Sequence, residues 1–194
     1  YIKEISIAGS NLLNIIDNVL DISALDSNEE VLDSKEYSVV NIVKDITDVI
    51  NTKLGEKPVE FLLEVDEQIP SKLSGDHNKI YQILLNLLSN SIEHTEVGKI
   101  KLTIEMEKKD NDNCTLVIRV NDTGTGMTRE EYDKINNILN TKESDNSNNI
   151  DEIGLGLSTI KKYITLMNGN ITFQSEYGVG SSFQVQIDQK IINN

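Results

Sequence analysis

The stretch VNDTGTGM, residues 120–127, places one carboxylate and two glycines directly after a run of strand-forming residues. Asp122 follows the predicted strand, where a side chain can face a pocket. Because an ionised carboxylate only accepts hydrogen bonds, Asp122 could take the exocyclic amine of adenine and would reject guanine. Gly124 and Gly126 allow positive φ and leave no Cβ in the way of a ligand. Taken alone, an ordinary turn after a strand explains the stretch at least as well.

The composition around this stretch is that of a soluble globular protein. The chain has 194 residues, a formal net charge of −14, 38% hydrophobic residues and 26% charged residues. This predicts one large domain, or one domain with an appendage, and a first residue other than Met predicts a fragment of a longer protein. No apolar run reaches the roughly 18 residues of a membrane span, and no signal peptide is recognisable. So acidic a surface repels nucleic acid, and the single Cys114 is typical of a reducing, cytoplasmic compartment, even if the parent protein is anchored to a membrane.

Apolar periodicity predicts an α+β domain preceded by one long helix. Residues 1–26 carry a wide apolar face, typical of a helical bundle built from one or two chains. Residues 140–152 have almost no apolar content and are expected to form a flexible loop. The order of the predicted helices and strands along the chain predicts a two-layer α/β sandwich with helices on one face of a mixed sheet. The other predicted elements are helix 39–54 capped by Ser38, strand 59–65, helix 77–93, strands 100–106 and 116–120, a short helix opened by the capping box TREE (128–131), helix 157–169 stopped by Gly169, and strands 170–176 and 181–187.

Three further stretches carry groups suited to a nucleotide. In LLNLLSNSIEHT (84–95), Asn86 and Asn90 lie one helical turn apart, and an amide oxygen is a suitable ligand for Mg²⁺. IDEIGLGLSTI (150–160) predicts a loop that runs through glycines into a helix whose free amides can meet phosphate. SEYGVGSSFQVQI (175–187) predicts a hairpin. Each stretch also has a structural explanation: solvated asparagines, an ordinary helix entry and an ordinary hairpin.

The order and spacing of these four stretches resemble the ATP-binding domain of sensor histidine kinases, within the superfamily of gyrase, chaperone, histidine kinase and mismatch-repair ATPases. NLLSNSIEHT is similar to the N box of that family, DTGTGM to its G1 box, GLGL to its G2 box and GVGSSFQV to its closing hairpin. The resemblance implies a Bergerat-type ATP-binding fold over residues 37–190. It also implies that residues 1–30 are the second helix of an incomplete dimerisation and phosphoacceptor hairpin.

The resemblance implies ATP and Mg²⁺ as cofactors, and it implies roles for single residues. Asp122 would bind the adenine amine, with Gly126 and Ser181 near the base. Asn90 would hold Mg²⁺ as the catalytic group, with Asn86 on the same face, and residues 140–153 would form a lid over ATP. The remaining implied nucleotide contacts are His94, Gly124, Met127, Gly154, Leu155, Gly156 and Leu157. Lys142, Lys161 and Lys162 are the candidate cations for the phosphates, and Lys142 is preferred because it lies in the predicted lid.

Three departures from the family pattern keep a second interpretation open. Glu93 stands where the N box usually has Lys or Arg, and Glu152 stands where the G2 box usually begins with glycine. KINNILN (134–140) replaces a lid box that contains phenylalanine, with Asn136 and Leu139 near the aromatic positions, so a loosely anchored lid is expected. These departures favour a degenerate, non-catalytic nucleotide-binding module that regulates a partner.

The phosphoacceptor is expected to lie outside this chain. His77 and His94 are its two histidines, and neither is followed by a run like the family's H box. The chain is therefore interpreted as a protein-histidine kinase fragment that transfers the γ-phosphoryl group of ATP to a histidine on its own absent phosphoacceptor helix. A homodimeric parent and a response regulator receiver domain are the expected partners, and nucleic acid is not. A serine kinase of the anti-sigma type shares these boxes, but the bundle-type helix over 1–26 argues against it.

Overall fold

The computed structural model describes residues 32–140 and 152–192, so the predicted helix over 1–26 and most of the predicted loop lie outside the described residues. Among the helices in these two ranges, none has the length and apolar character needed to cross a membrane. The elements in chain order are β1 (Lys35–Tyr37), α1 (Val39–Leu54), β2 (Val59–Val65), β3 (Leu73–Gly75), α2 (His77–His94), β4 (Gly98–Lys108), β5 (Asn113–Asp122), α3 (Arg129–Asn140), α4 (Glu152–Leu166), β6 (Asn170–Glu176) and β7 (Gly180–Ile191).

The strands form one mixed sheet in the order β1-β3-β7-β5-β4-β2, with β6 also paired to β7. β2 and β4 run parallel, and the other pairs are antiparallel. Alternate residues of β5 are apolar and almost fully buried, at Leu116, Ile118 and Val120. On the opposite face of the same strand, Arg119 pairs with Glu105. One face packs on helices, and the other carries polar side chains together with the buried Val117, so the predicted two-layer α+β sandwich is confirmed.

The helices that cover this face follow the predicted apolar stripes. Ile46 and Ile50 of α1 are fully buried, as are Ile83, Leu84 and Leu88 of α2. Asp76 is the N-cap of α2, and its carboxylate accepts a hydrogen bond from the amide of Lys79 at 3.1 Å. α2 therefore lies fixed between sheet and neighbouring helices, with its polar asparagine face turned away from its leucines.

Several boundaries differ from the sequence prediction. β1 and β3 have three residues each, which is too short for an alternating pattern to be recognised. Ser38 stands at the N-cap of α1, but its side chain makes no capping hydrogen bond. β5 extends to Asp122, so this residue ends the strand instead of following it.

α4 differs most from its prediction. It begins at Glu152, five residues before the predicted start, so the two glycines of GLGL lie inside the helix. A glycine costs a helix only about 1 kcal/mol, which the burial of Leu157 and Ile160 can offset. At the other end Asn168, with φ 52°, takes the left-handed position predicted for Gly169, because asparagine also tolerates this conformation.

Candidate nucleotide-binding site

A cavity of about 160 Å³ opens between α2, α3, the start of α4 and the end of β5. Pockets that hold a whole small-molecule ligand have volumes of about 300–1,000 Å³. The enclosed part here therefore suits a planar ring, from which a larger ligand would extend. The lining residues are Asn90, Ser91, His94, Asp122, Thr125, Gly126, Met127, Glu131, Lys134, Ile135, Ile138, Leu157, Ser181 and Phe183.

The carboxylate of Asp122 is oriented by three donors of the protein. Its Oδ1 accepts hydrogen bonds from the amide of Gly124 at 3.0 Å and from the amide of Ser181 at 3.2 Å. Its Oδ2 accepts one from the hydroxyl of Ser91 at 3.3 Å. A carboxylate has about four acceptor positions, so this half-buried group retains acceptor capacity towards the cavity.

The loop over 123–128 is held between α2 and the hairpin of β6 and β7. The amide of Thr125 donates to the carbonyl of His94 at 3.0 Å, and the amide of Gly178 donates to the carbonyl of Thr125 at 2.8 Å. Both bonds join backbone groups that lie far apart in the chain. The loop that follows Asp122 is therefore fixed by the backbone on both sides.

The two glycines of this loop lie where the protein backbone leaves no room for a Cβ. Gly126 has φ 62°, and a Cβ there would collide with the carbonyl of Glu176. Gly124 is not in the left-handed region, and a Cβ there would collide with the carbonyl of His94. Only Gly126 lines the cavity. The positive φ expected at these positions is therefore confirmed at Gly126 and not at Gly124, and at both positions the atoms that exclude a Cβ belong to the protein backbone.

The polar face of α2 contributes Asn90 and His94 to the cavity lining. Asn86 is half-buried one turn before Asn90, but it is not among the lining residues. Glu93 is exposed and does not line the cavity either. Its carboxylate is therefore exposed to solvent and lies outside the enclosed part of the cavity.

One wall of the cavity comes from α3, which sequence reasoning did not assign to the site. The lining residues Glu131, Lys134, Ile135 and Ile138 have the i, i+3, i+4, i+7 spacing of a single helical face. That spacing was visible in the sequence, but it does not show which neighbour the face meets. Ser91, Thr125 and Phe183 were also missed.

α3 begins with the predicted capping box, which the structure confirms. Glu131 Oε2 accepts hydrogen bonds from the amide of Thr128 at 2.8 Å and from its hydroxyl at 2.7 Å. These two bonds lower the pKa of the Glu131 carboxyl below its ordinary value, with the hydroxyl bond as the larger cause. Glu131 is thereby a fixed carboxylate at the mouth of the cavity.

Aromatic rings anchor α3 to the sheet below the cavity. Phe183 of β7 stacks on Phe173 of β6 with centroids 5.6 Å apart, and Tyr132 of α3 lies 4.7 Å from Phe173. Ile135 and Leu139 of α3 are also buried. α3 is thus held by Tyr132 and by aliphatic residues, and not by phenylalanines of a lid box. The predicted lid itself lies almost wholly outside the described residues.

The start of α4 brings one predicted residue into the cavity lining. Leu157 is buried and lines the cavity, whereas Gly156 does not. Gly154 and Leu155 lie in the first turn of α4, where backbone amides have no partner inside the helix. Lys142 lies outside the described residues.

The donor set fits a metal held mainly by its ligand and by water. Within the two described ranges, no group of three or more His, Cys, Asp or Glu side chains could hold a metal ion. The cavity instead offers the amide of Asn90. Mg²⁺ usually keeps several waters and takes one or two protein oxygens together with phosphate oxygens. Asn90 therefore suits a nucleotide-bound Mg²⁺ and not a resident metal.

Comparisons with known proteins point to one group of ATPases. Over 193 residues the chain is 30% identical to hybrid signal transduction histidine kinase B of Dictyostelium discoideum, covering 100% of this chain and 10% of that protein. It is 27% identical over 188 residues to signal transduction histidine-protein kinase BarA of Escherichia coli K12, covering 97% of this chain and 20% of BarA. It is 31% identical over 180 residues to sensor histidine kinase RcsC of Salmonella typhimurium, covering 93% of this chain and 18% of RcsC. The chain thus spans a fifth or less of these relatives.

Solved structures with the same fold include histidine kinases. Full-length ShkA in complex with AMPPNP superposes with a TM-score of 0.74 at 22% identity, over 96% of this chain and 38% of that one. Histidine kinase AdeS of Acinetobacter baumannii superposes with a TM-score of 0.67 at 19% identity, over 95% of this chain and 80% of the AdeS chain. The catalytic domain of histidine kinase ThkA superposes with a TM-score of 0.59 at 22% identity, over 80% of this chain and 95% of the ThkA chain.

The sequence profile of one family matches residues 75–191, which include α2, the 123–128 loop, α4 and both strands of the closing hairpin. These are the elements that surround the cavity. The chain belongs to the family of histidine kinase-, DNA gyrase B- and HSP90-like ATPases, and it is an ATP-binding catalytic domain of the histidine kinase type.

Proposed function

We propose that this chain binds Mg²⁺-ATP and, within a longer sensor histidine kinase, transfers the γ-phosphoryl group to a histidine outside this chain. The observation that carries the proposal is the carboxylate of Asp122, held by three donors at the edge of a cavity that Asn90 also lines. The relatives named as histidine kinases and the ShkA structure with AMPPNP support it.

Base recognition would rest on Asp122. The exocyclic amine of adenine would donate to an acceptor position of the Asp122 carboxylate that the protein leaves open. Guanine has a carbonyl oxygen at that place, and two acceptors cannot form a hydrogen bond with each other. A hydrogen bond to a charged group contributes about 1.5–3 kcal/mol. Met127 and Phe183 line the same cavity and would contact the faces of the ring, next to Ser181.

Phosphate binding would rest on the opposite end of the cavity. Asn90 would hold Mg²⁺, which supplies charge neutralisation at the phosphates, with Asn86 nearby on the same helix. The amides in the first turn of α4, including that of Gly154, would donate to phosphate oxygens. Such a site accelerates phosphoryl transfer mainly by positioning and by charge stabilisation.

The rest of the kinase would come from segments beyond the described ranges. Residues 1–30 would form the second helix of a dimerisation hairpin, and the parent would be a homodimer that acts in the cytoplasm. The phosphoryl group would pass from the acceptor histidine to a response regulator receiver domain. Lys142 would add a cation to the nucleotide site.

Calorimetric titration of the chain with ATP in the presence of Mg²⁺ tests binding. We expect saturable heat with ATP and at least tenfold weaker binding of GTP, because Asp122 selects the amine. No heat at millimolar ATP would contradict the proposal.

Phosphotransfer needs the preceding helix of the parent protein. With that helix restored, incubation with γ-labelled ATP should place label on the protein. Bound but unhydrolysed ATP would instead support the degenerate regulatory module. Glu93, which favoured that alternative, is exposed and is not among the residues that line the enclosed part of the cavity.

A further inference from the structure

We propose that Lys134 of α3 binds the phosphate groups of the nucleotide, an assignment that rests on the proposed function. Lys134 lines the cavity on the wall that α3 provides. The ligand class is a phosphorylated nucleoside, and the interaction is between the lysine ammonium group and phosphate oxygens.

The charges around the cavity are the first argument. The protein carries a formal net charge of −14, and two carboxylates, Asp122 and Glu131, line the cavity. Among the described lining residues, Lys134 is the only lysine or arginine. A triphosphate entering so acidic a site needs a local cation, because like charges about 4 Å apart repel each other by roughly 1–4 kcal/mol near a surface.

The position of Lys134 along α3 is the second argument. α3 starts directly after the loop that would hold the base, and its first turn is fixed to Thr128. At 1.5 Å per residue, Lys134 lies about 9 Å further along the axis than Thr128. At the far end of α3, the ammonium of Lys161 of α4 donates to the carbonyl of Ile138 at 2.8 Å. Lys134 therefore lies between the base end and α4, where ribose and phosphates would extend.

The anchoring of α3 is the third argument. Tyr132 rests on Phe173, and Ile135 is buried, so the backbone on both sides of Lys134 is fixed. The side chain of Lys134 itself is exposed, so a phosphate group can reach its ammonium group from solvent. The neighbouring carboxylate of Glu131 is directed to Thr128 by two hydrogen bonds.

The test is calorimetric titration of Lys134→Met, Lys134→Arg and wild type with Mg²⁺-ATP and, separately, with adenosine. Lys44→Met is the matched control, because it removes the same charge from an exposed lysine of α1 that does not line the cavity. We expect Lys134→Met to weaken ATP binding by about two- to fivefold, within the range for a solvent-screened ion pair. Adenosine binding should change less than about twofold, and Lys134→Arg should retain most of the ATP affinity.

Three results would overturn the assignment while leaving the proposed function intact. These are unchanged ATP affinity in Lys134→Met, equal losses for ATP and adenosine, or an equal loss in Lys44→Met. If the wild type binds neither ligand, the proposed function fails and the assignment fails with it. Lys134→Gln, compared with wild type by thermal unfolding, provides a second neutral variant should the methionine variant not fold.

Discussion

The two glycine-bearing regions at the cavity use glycine for different reasons. In the 123–128 loop, a Cβ at Gly126 would collide with the backbone of the β6–β7 hairpin. At the start of α4, a Cβ at Gly156 would have no heavy atom within 4 Å. The first glycine is needed by the folded protein itself. The second occupies open space, so the folded chain alone does not require it.

We expect this difference to separate a base-binding end that is built in advance from a phosphate-binding end that its ligand completes. At the loop end, backbone bonds from His94 and Gly178 fix Thr125, and three donors orient Asp122. At the α4 end, the groups proposed to meet phosphate are helix amides and the exposed side chain of Lys134. We therefore expect substitutions of the loop glycines to change the free energy of unfolding, and substitutions of the proposed phosphate contacts to change nucleotide affinity.

Replacing Gly126 by Ala should have the largest effect. The substitution combines a positive φ with a collision against the carbonyl of Glu176, so we expect a loss of about 2–4 kcal/mol in the free energy of unfolding. Urea denaturation measures it. Gly178→Ala is the control, because Gly178 has φ 80° and no heavy atom within 4 Å of its Cβ position. Equal losses in both variants would show that φ alone, and not the collision, makes Gly126 necessary.

Asp122→Asn should change binding more than stability. The amide oxygen can still accept from Gly124 and Ser181, and the amide nitrogen can donate to the hydroxyl of Ser91. A ligand amine, however, would lose a charged acceptor worth about 1.5–3 kcal/mol. We therefore expect at least about tenfold weaker ATP binding by calorimetry.

The control for this prediction is Asp188→Asn. Asp188 is an exposed carboxylate of β7 that pairs with Lys109, and it is not among the residues that line the cavity. Unchanged ATP affinity in Asp122→Asn would remove Asp122 from base recognition.

Gly156→Ala should stabilise the protein, in contrast to Gly126→Ala. The position is helical and has room for a Cβ. Because alanine lowers the conformational entropy of the unfolded chain, the free energy of unfolding should rise by about 0.5–1 kcal/mol. The free energy of unfolding without nucleotide measures this gain. A decrease instead would mean that α4 does not begin at Glu152 in solution.

The smallest expected effect concerns the pH dependence of the capping box. Because hydrogen bonds from Thr128 lower the pKa of Glu131 from its ordinary value of 4.5, the stabilisation is present above about pH 4.5 and is lost as the pH falls through the lower folded pKa. Without nucleotide, Glu131→Ala should cost about 0.5 kcal/mol at pH 7, and the difference from wild type should shrink as the pH falls through the folded pKa of Glu131.

Glu130→Ala serves as the comparison, since Glu130 is an exposed acid in the same helical turn. A loss of the same size and pH dependence in Glu130→Ala would assign the effect to the helix dipole and not to the capping box.

Local patterns in the sequence determined much of this protein. Apolar periodicity predicted α1 and α2 nearly to their ends, and TREE predicted the reciprocal bonds between Thr128 and Glu131. These features depend on residues within about one or two helical turns, so short windows contain the information. The four ordered motifs likewise placed Asp122 and Asn90 in one site before any contact was known.

Only the tertiary structure decided which groups meet. Asp122 and Ser181 are 59 residues apart in the chain and become neighbours through the pairing of β5 and β7. The face of α3 that carries Lys134, the contact that makes Gly126 necessary and the earlier start of α4 depend on such long-range pairing as well. A periodic pattern shows that a helix has an inner face, but only the packing of the sheet and its helices determines what that face contacts.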